Sequence, residues 1–301
     1  MKNLDWIAVD WGTSRLRAFA MDARGAVLGK AQSADGMGTL SQADFEPALL
    51  RLITPWLDAG PVTALACGMV GARQGWIEAA YQPVPCKPAE SGLTRAPTED
   101  PRLDMLILPG LSQVAPPDVM RGEETQILGI LAANPDFDGV IALPGTHTKW
   151  AHISAGEVVS FQTAMTGELF ALLAEKSVLR HSVGPGDPDR DAFDGAIAET
   201  LSRPERLAQS LFGIRAAGLL SDQADSVARG RLSGLLIGAE LAATRPYWLG
   251  REIVIAGAPA LSALYARALK AQGVSVTVEN GDTLTLRGLC RAYDTLRKAV
   301  T

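Results

Sequence analysis

Cysteine is scarce and poorly spaced for structural use. The three residues Cys67, Cys86 and Cys290 are far apart, odd in number and without Cys-x-x-Cys spacing, which argues against a disulfide framework and a zinc site. Histidine is equally rare: His147, His152 and His181 have no acidic partners at ligand spacing, so no metal signature is present. No lysine or arginine run interrupts a chain of formal net charge −5, and a nucleic-acid surface would have to form against that field. No stretch approaches the roughly 20 apolar residues of a membrane span, and Asp5 and Asp10 fall where a signal peptide would carry its apolar core. A cytoplasmic protein with no nucleic-acid or membrane partner is the expectation. The chain also lacks a Gly-x-x-x-x-Gly-Lys-Ser/Thr loop and a strand-linked Gly-x-Gly-x-x-Gly fingerprint, which disfavours P-loop and Rossmann readings.

What is present is an ordinary globular composition, 47% apolar and 20% charged over 301 residues, long enough for two domains. The N-terminal segment reads as a three-strand meander: Ile7 to Asp10, a Gly12-Thr13-Ser14 turn, Leu16 to Met21, a turn at Gly25, and Ala26 to Lys30. A helix fits Asp44 to Leu57, with Pro55 kinking it or ending it early. The same order returns later as Val140 to Leu143, the turn Gly145-Thr146-His147-Thr148, Lys149 to Ile153, a turn at Gly156, Val158 to Phe161, and a helix over Leu169 to Leu179. The two Gly-Thr pairs stand 133 residues apart, and the turn-to-turn spacings are 13 and 11 residues, as expected of a duplicated domain. Val62 to Cys67 before Gly68 has a late counterpart in Glu252 to Ala256 before Gly257. The proline-rich stretch Pro83 to Pro101 predicts a loop or edge strands.

Phosphoryl transfer leaves its traces as backbone donors in tight turns, hydroxyls, a metal-holding carboxylate and a base. Gly12, Thr13 and Ser14 supply such donors, as do Gly145, Thr146, His147 and Thr148, and Lys149 follows with a point charge that reads equally well as a solvated lysine. Asp10 ends an apolar strand, either as a magnesium ligand or as a side chain bonding its own turn. Glu123 and Glu124 precede an apolar helix, where acids compensate the helix dipole or, alternatively, accept a proton from an attacking hydroxyl. The loop Gly68 to Trp76 packs three glycines around Arg73, a guanidinium suited to a carboxylate or to a neighbouring surface acid. Gly71, Arg73 and Trp76, with Arg17 from the second strand, are the substrate candidates. Gly238, in the apolar helix Leu232 to Leu241, reads as tight helix packing or an adenosine wall.

The segments Val9 to Ser14, Cys67 to Trp76, Arg121 to Gln126, Leu143 to Trp150 and Leu235 to Glu240 together resemble the 2-dehydro-3-deoxygalactonokinase family, across essentially the whole chain. The resemblance implies the actin and hexokinase superfamily: an α/β fold of two ribonuclease-H-like lobes, each a mixed sheet flanked by helices, closing across an interlobe cleft on ATP and Mg2+. Lobes of residues 1–135 and 136–301 are expected, with a helix over about 285–301 packing back on the first. It also implies phosphate binding by both Gly-Thr turns, adenosine beside Gly257 and Ala258, and transfer of the ATP γ-phosphate to the 6-hydroxyl of 2-dehydro-3-deoxy-D-galactonate in galactonate breakdown. Related kinases use an aspartate as base where Glu123 or Glu124 stands here, and Glu123 is the expected choice. A homodimer is left open. Kinases for another sugar or sugar acid, and a nucleotide switch without an acceptor, are the competing functions.

Overall fold

The computed structural model describes residues 1–89 and 92–300, so residues 90 and 91 of the expected proline-rich loop and the terminal residue 301 lie outside it. The chain divides into two compact units. The first comprises Met1–Asp138, Ile153–Ser160 and the helix beginning at Gly281; the second comprises Gly139–His152 and Phe161–Asn280. Compared with the expected division at 135/136, the hairpin tip Ile153–Ser160 and the whole last helix cluster with the first unit.

The first unit runs β1 (Trp6–Trp11), β2 (Leu16–Met21), β3 (Val27–Ser33), α1 (Phe45–Ile53), β4 (Val62–Gly68), β5 (Tyr81–Pro83), β6 (Thr94–Arg95), β7 (Leu103–Ile107), β8 (Gly110–Gln113), β9 (Asp118–Met120) and α2 (Glu123–Ala133). Its main sheet has the order β3-β2-β1-β4-β7-β6, and β5-β8-β9 form a small second sheet. The meander is antiparallel, Trp11 facing Leu16 and Trp6 facing Met21, whereas β4 and β7 run parallel to β1. The strands β1 and β4 are buried along most of their length because both faces of the sheet are covered. On one face Trp11 packs against Phe45 of α1 and against Trp76, with ring centroids 5.1 and 6.2 Å apart. The helix α1 ends at Ile53, and Pro55 sits in a following 3-10 turn, because proline cannot donate the next helical hydrogen bond.

The second unit runs β10 (Gly139–Leu143), β11 (Thr148–Ser154), β12 (Glu157–Ala164), α3 (Thr166–Lys176), α4 (Arg190–Ser202), α5 (Leu207–Leu220), α6 (Asp225–Ala243), the single turn α7 (Arg245–Trp248), β13 (Ile253–Gly257), α8 (Pro259–Lys270) and β14 (Val276–Asn280). The final helix, α9 (Gly281–Val300), returns to the first unit, where Trp6 stacks on Tyr293 at 4.3 Å. The second sheet has the order β12-β11-β10-β13-β14. This is the third-second-first-fourth-fifth order of the first sheet, so the repeat legible in the sequence is a repeat of topology. In both units the first and fourth strands are parallel neighbours that end in a turn at the same edge of the sheet.

Behind the second sheet, α6 crosses α4 at close range. Gly230, Gly234 and Gly238 recur every four residues on one face of α6, and a β-carbon at any of them would overlap the backbone or a hydroxyl of the facing segment, Phe193 O in the case of Gly234. Gly238 is therefore a packing residue against Thr200 and Ile197, which corrects the adenosine-wall reading: the helix approach leaves no open space at its Cα. Gly234→Ala gains about 1 kcal/mol of helix propensity but overpacks the crossing at a cost of about 1–3 kcal/mol and more where backbone must shift. A lowered urea midpoint is the expected outcome, and an unchanged or raised midpoint would count against this packing.

Candidate functional site

In the first unit the carboxyl ends of β1 and β4 meet the N-terminus of α2. Gly68 leaves β4 with φ +93°, and a β-carbon there would sit 2.7 Å from Trp11 O, so only glycine lets the two strand ends close up. Gly122, before α2, comes against Gly68 in turn. Asp10 stands at this edge, its side chain 17% exposed and ion-paired with Arg17. Burial pushes its pKa up and the Arg17 guanidinium opposes that shift. Arg17 also reaches Asp282 in the first turn of α9 at 2.7 Å. The guanidinium expected to face substrate is thus engaged by two carboxylates.

The Gly12 turn is closed by the Gly12 N–H donating to Arg15 O at 2.9 Å, and Thr13 and Ser14 are exposed at its tip. The Met37 N–H donates to Gly12 O and the Gly38 N–H to Thr13 O, so the turn is braced from behind by the segment that follows β3.

The two glutamates at the start of α2 differ in setting. Glu123 is half-buried and accepts the Arg121 N–H at 3.1 Å. Glu124 is buried, accepting the Gly122 N–H at 2.6 Å and the Thr125 hydroxyl at 3.1 Å. Burial, assisted by the Glu123 charge, lifts the Glu124 pKa to about 7. Cys67 lies beneath, its thiol pushed well up by burial and by the charges of Asp10 and Glu124.

The loop after β4 corrects two expectations. Arg73 is 80% exposed and pairs with Glu78 at 3.4 Å, the surface-acid alternative, and such a solvated pair contributes little. Trp76 is buried among Trp11 and Phe45, so its indole is core, placed there by the apolar area that it removes from water. Gly71 is buried against Arg121, Ile107 and Ala79.

In the second unit the Gly145-Thr146 turn leads from β10 into β11 and packs on the N-terminus of α3. The Glu168 N–H donates to Thr146 O at 2.9 Å, and a β-carbon at Gly167 would overlap Gly145 O. Thr146 and His147 are exposed at the tip, with His147 Nε2 2.6 Å from Glu168 Oε2. Thr148 and Lys149 depart from the phosphate-binding expectation. Alternation sends the two side chains to opposite faces of β11 and both faces are covered there, so both are buried, Thr148 against the Tyr265 hydroxyl at 3.0 Å and the Lys149 ammonium against the Thr163 hydroxyl at 2.8 Å. Below them the buried Glu240 carboxylate accepts from Trp150 Nε1 at 2.8 Å and from the Tyr265 hydroxyl at 2.7 Å. This network ties β11, α6 and α8 together under the turn.

A cavity of about 880 Å³ opens beside that turn, a volume suited to a nucleotide-sized ligand. Gly145, Thr146, Thr166 and Gly167 bound one part, and Leu236, Ile237, Leu261 and Leu264 give it an apolar wall. Phe170 lines it too, with the Arg229 guanidinium 4.9 Å from its ring centroid. Gly257 and Ala258 end β13 and lead into α8, whose Ala260 and Leu261 line the cavity. Sequence reading missed Gly167, Phe170, Arg229 and the α8 residues. Thr166-Gly167 at a strand-to-helix junction was a legible signal, whereas the apolar wall looks like any helix core until the tertiary structure leaves space beside it.

The raised pKa of Glu124 carries a pH signature. Its folded value of about 7 lies above the ordinary 4.5, so its contribution to stability is fully present below about pH 4.5 and is lost as pH rises through 7. Glu124→Gln, uncharged throughout, is expected to flatten that decline, by roughly 3 kcal/mol at most between pH 5 and 8. Urea titrations of both proteins across that range check it; parallel pH profiles would contradict the assignment.

Residues 10–292 match the family model described as 2-keto-3-deoxy-galactonokinase. A Rhizobium meliloti (strain 1021) protein named as a 2-dehydro-3-deoxygalactonokinase is 38% identical over 293 residues, covering 95% of this chain and 96% of that protein. The Escherichia coli (strain K12) 2-dehydro-3-deoxygalactonokinase is 34% identical over 287 residues, covering 94% and 96%. A crystal structure described as a 2-dehydro-3-deoxygalactonokinase protein from Sinorhizobium meliloti superposes with a TM-score of 0.90 at 37% identity, covering 97% of this chain and 99% of that one. With a family model matched over most of the chain and two relatives covered nearly end to end, this chain belongs to the 2-keto-3-deoxy-galactonokinase family of carbohydrate kinases.

Proposed function

We propose that the chain transfers the γ-phosphoryl group of ATP to the 6-hydroxyl of 2-dehydro-3-deoxy-D-galactonate, giving the 6-phosphate and ADP in galactonate catabolism. The observation that carries this reading is the pair of carboxylates opening α2 beside the glycine-closed ends of β1 and β4. A hydroxyl that attacks phosphorus must lose its proton, and a base has to reach it. Glu123 is accessible and takes that role; Glu124, closed in by Gly122 and Thr125, holds the helix start and sets the local charge.

The second unit takes the nucleotide. Gly145 and Thr146, with Thr166 and Gly167 at the positive end of α3, take the phosphate oxygens in this reading, which the cavity they line and its apolar wall for adenosine next to Ala258 support. In the first unit Gly12, Thr13 and Ser14 offer the matching donors.

Among the described residues no group of three or more histidine, cysteine, aspartate or glutamate side chains could hold a metal. The single carboxylate of Asp10 fits Mg2+, which is commonly held by one or two carboxylates together with phosphate oxygens and retained water. Asp10 would hold the ion once Arg17 yields; the ion would neutralise phosphate charge. No helix among the described residues is long and apolar enough to cross a membrane. A cytoplasmic setting accords with three free cysteines, and light scattering decides between monomer and homodimer.

A coupled assay of ADP release over 2-keto-3-deoxy sugar acids, hexoses and no acceptor tests the function. Release that requires the galacto acid is expected; release indifferent to every acceptor would favour a nucleotide switch. Glu123→Gln is expected to bind MgATP normally and to lose about 100-fold or more in turnover, and wild-type turnover would return the role to Glu124. Gly167→Ala, which forces the phosphate turn away from α3, is expected to raise the KM for ATP about tenfold, the effect of misplacing a phosphate contact. An unmoved KM would separate that turn from the nucleotide.

A further inference from the structure

We propose that Arg121, not Arg73, receives the acceptor's carboxylate, and that the Tyr81 ring is the cover of that site. The inference rests on the sugar-acid reading above and names the group that selects for acids.

Arg121 directly precedes Gly122, so its backbone stands at the entry to α2, where its N–H donates to Glu123 Oε2 at 3.1 Å, and its guanidinium reaches Ala79 and Tyr81. It is only 9% exposed. Its Nη2 donates to Ala79 O at 2.7 Å, while Nε and Nη1 are buried with no acceptor, and no carboxylate pairs with it among the described residues. A buried cation without a counter-charge is costly, and such groups are ordinarily paired. The Tyr81 ring, 4.2 Å from the guanidinium carbon, returns part of that cost through a cation–π contact and no hydrogen bond. Among the described residues no anionic side chain faces those two nitrogens.

The surroundings are shaped for the guanidinium and its cover. A β-carbon at Gly71 would lie 2.9 Å from Arg121 Nη1, so glycine leaves that nitrogen its room. Gly110 does the same for the ring, since a β-carbon there would lie 2.7 Å from Tyr81 Cε1. Tyr81 is 37% exposed and stands on β5, a three-residue strand at the edge of the small sheet, where few backbone hydrogen bonds resist displacement. Swinging the ring aside would open the guanidinium face. The planar 2-keto carboxylate matches guanidinium donors better than a hydroxyl does.

The test compares kcat/KM for the 2-keto-3-deoxy sugar acid with that for its counterpart carrying a hydroxymethyl group in place of the carboxylate. Arg121→Gln is expected to erase about 10- to 100-fold of the preference for the acid, the range of a charge-assisted pair. The loss should fall on the acceptor KM, with the ATP KM unmoved and Arg121→Lys restoring part of the preference. An equal loss for both acceptors would make Arg121 merely structural and overturn the proposal, as would loss of the preference in Arg73→Ala alone. Should Arg121→Gln not fold, Tyr81→Ala keeps the cation and removes the cover. It is expected to change the KM for the acid and not for the hydroxymethyl analogue; no difference between them overturns the proposal. If the wild-type protein phosphorylates neither acceptor, the proposed function fails separately. Thermal shifts with pyruvate and with inorganic phosphate then judge the site: stabilisation by pyruvate, reduced in Tyr81→Ala or Arg121→Gln, supports it, and stabilisation by phosphate alone overturns it.

Discussion

Both candidate sites depend on one constraint, that a chain leaving the carboxyl end of a buried strand must turn back within a few residues without a side chain filling the space above the strand end. At β4 the requirement is met by Gly68 in a left-handed conformation against Trp11 O. At the Gly145-Thr146 turn it is met by Gly167, which lets the start of α3 press on the turn. Backbone N–H groups and a helix N-terminus are thereby held at the sheet edge, where anionic ligands are favoured. A β-carbon at either glycine would push apart the elements that form the site.

Charge is arranged on that frame in unequal ways. In the first unit Asp10, Arg17 and Asp282 form a connected set that links the end of β1 to the first turn of α9. Glu124 is buried next to a like charge and sits near neutrality in its protonation, while Glu123 beside it remains accessible. In the second unit the polar groups nearest the turn are spent on structure: Thr148, Tyr265, Trp150 and Glu240 satisfy one another in the interior. Their hydrogen bonds tie the cavity wall to the strand beneath the turn.

Much of the fold was legible from order alone. The meander, the helix ending at Pro55 and the repeated strand-turn-strand pattern depend on local periodicity and on glycine and proline, which act within a few residues. Of the candidate site, only the positions whose local structure is set by near neighbours are legible in the sequence, as in the Gly12 and Gly145 turns and the acids at the start of α2. Trp76 is misread from sequence, and Gly238 stays open between packing and an adenosine wall, because burial is a property of what packs opposite, and the Phe45 ring or the α4 backbone that fixes them lies tens of residues away. Lys149 is buried for the same reason: its partner Thr163 comes from the next strand.

The sequence by itself determined the class of protein. Its turns, spacing and long motifs specify a duplicated α/β kinase of the sugar-acid family, since those features are set by short-range sterics and by inheritance along the chain. The tertiary structure alone decided which guanidinium is solvated and which is buried without a counter-charge. Arg73 and Arg121 have the same chemistry on paper. Only the packing of Gly71, Ala79 and Tyr81 around one of them removes it from water, and desolvation is what turns an arginine from a surface charge into a demand for an anion.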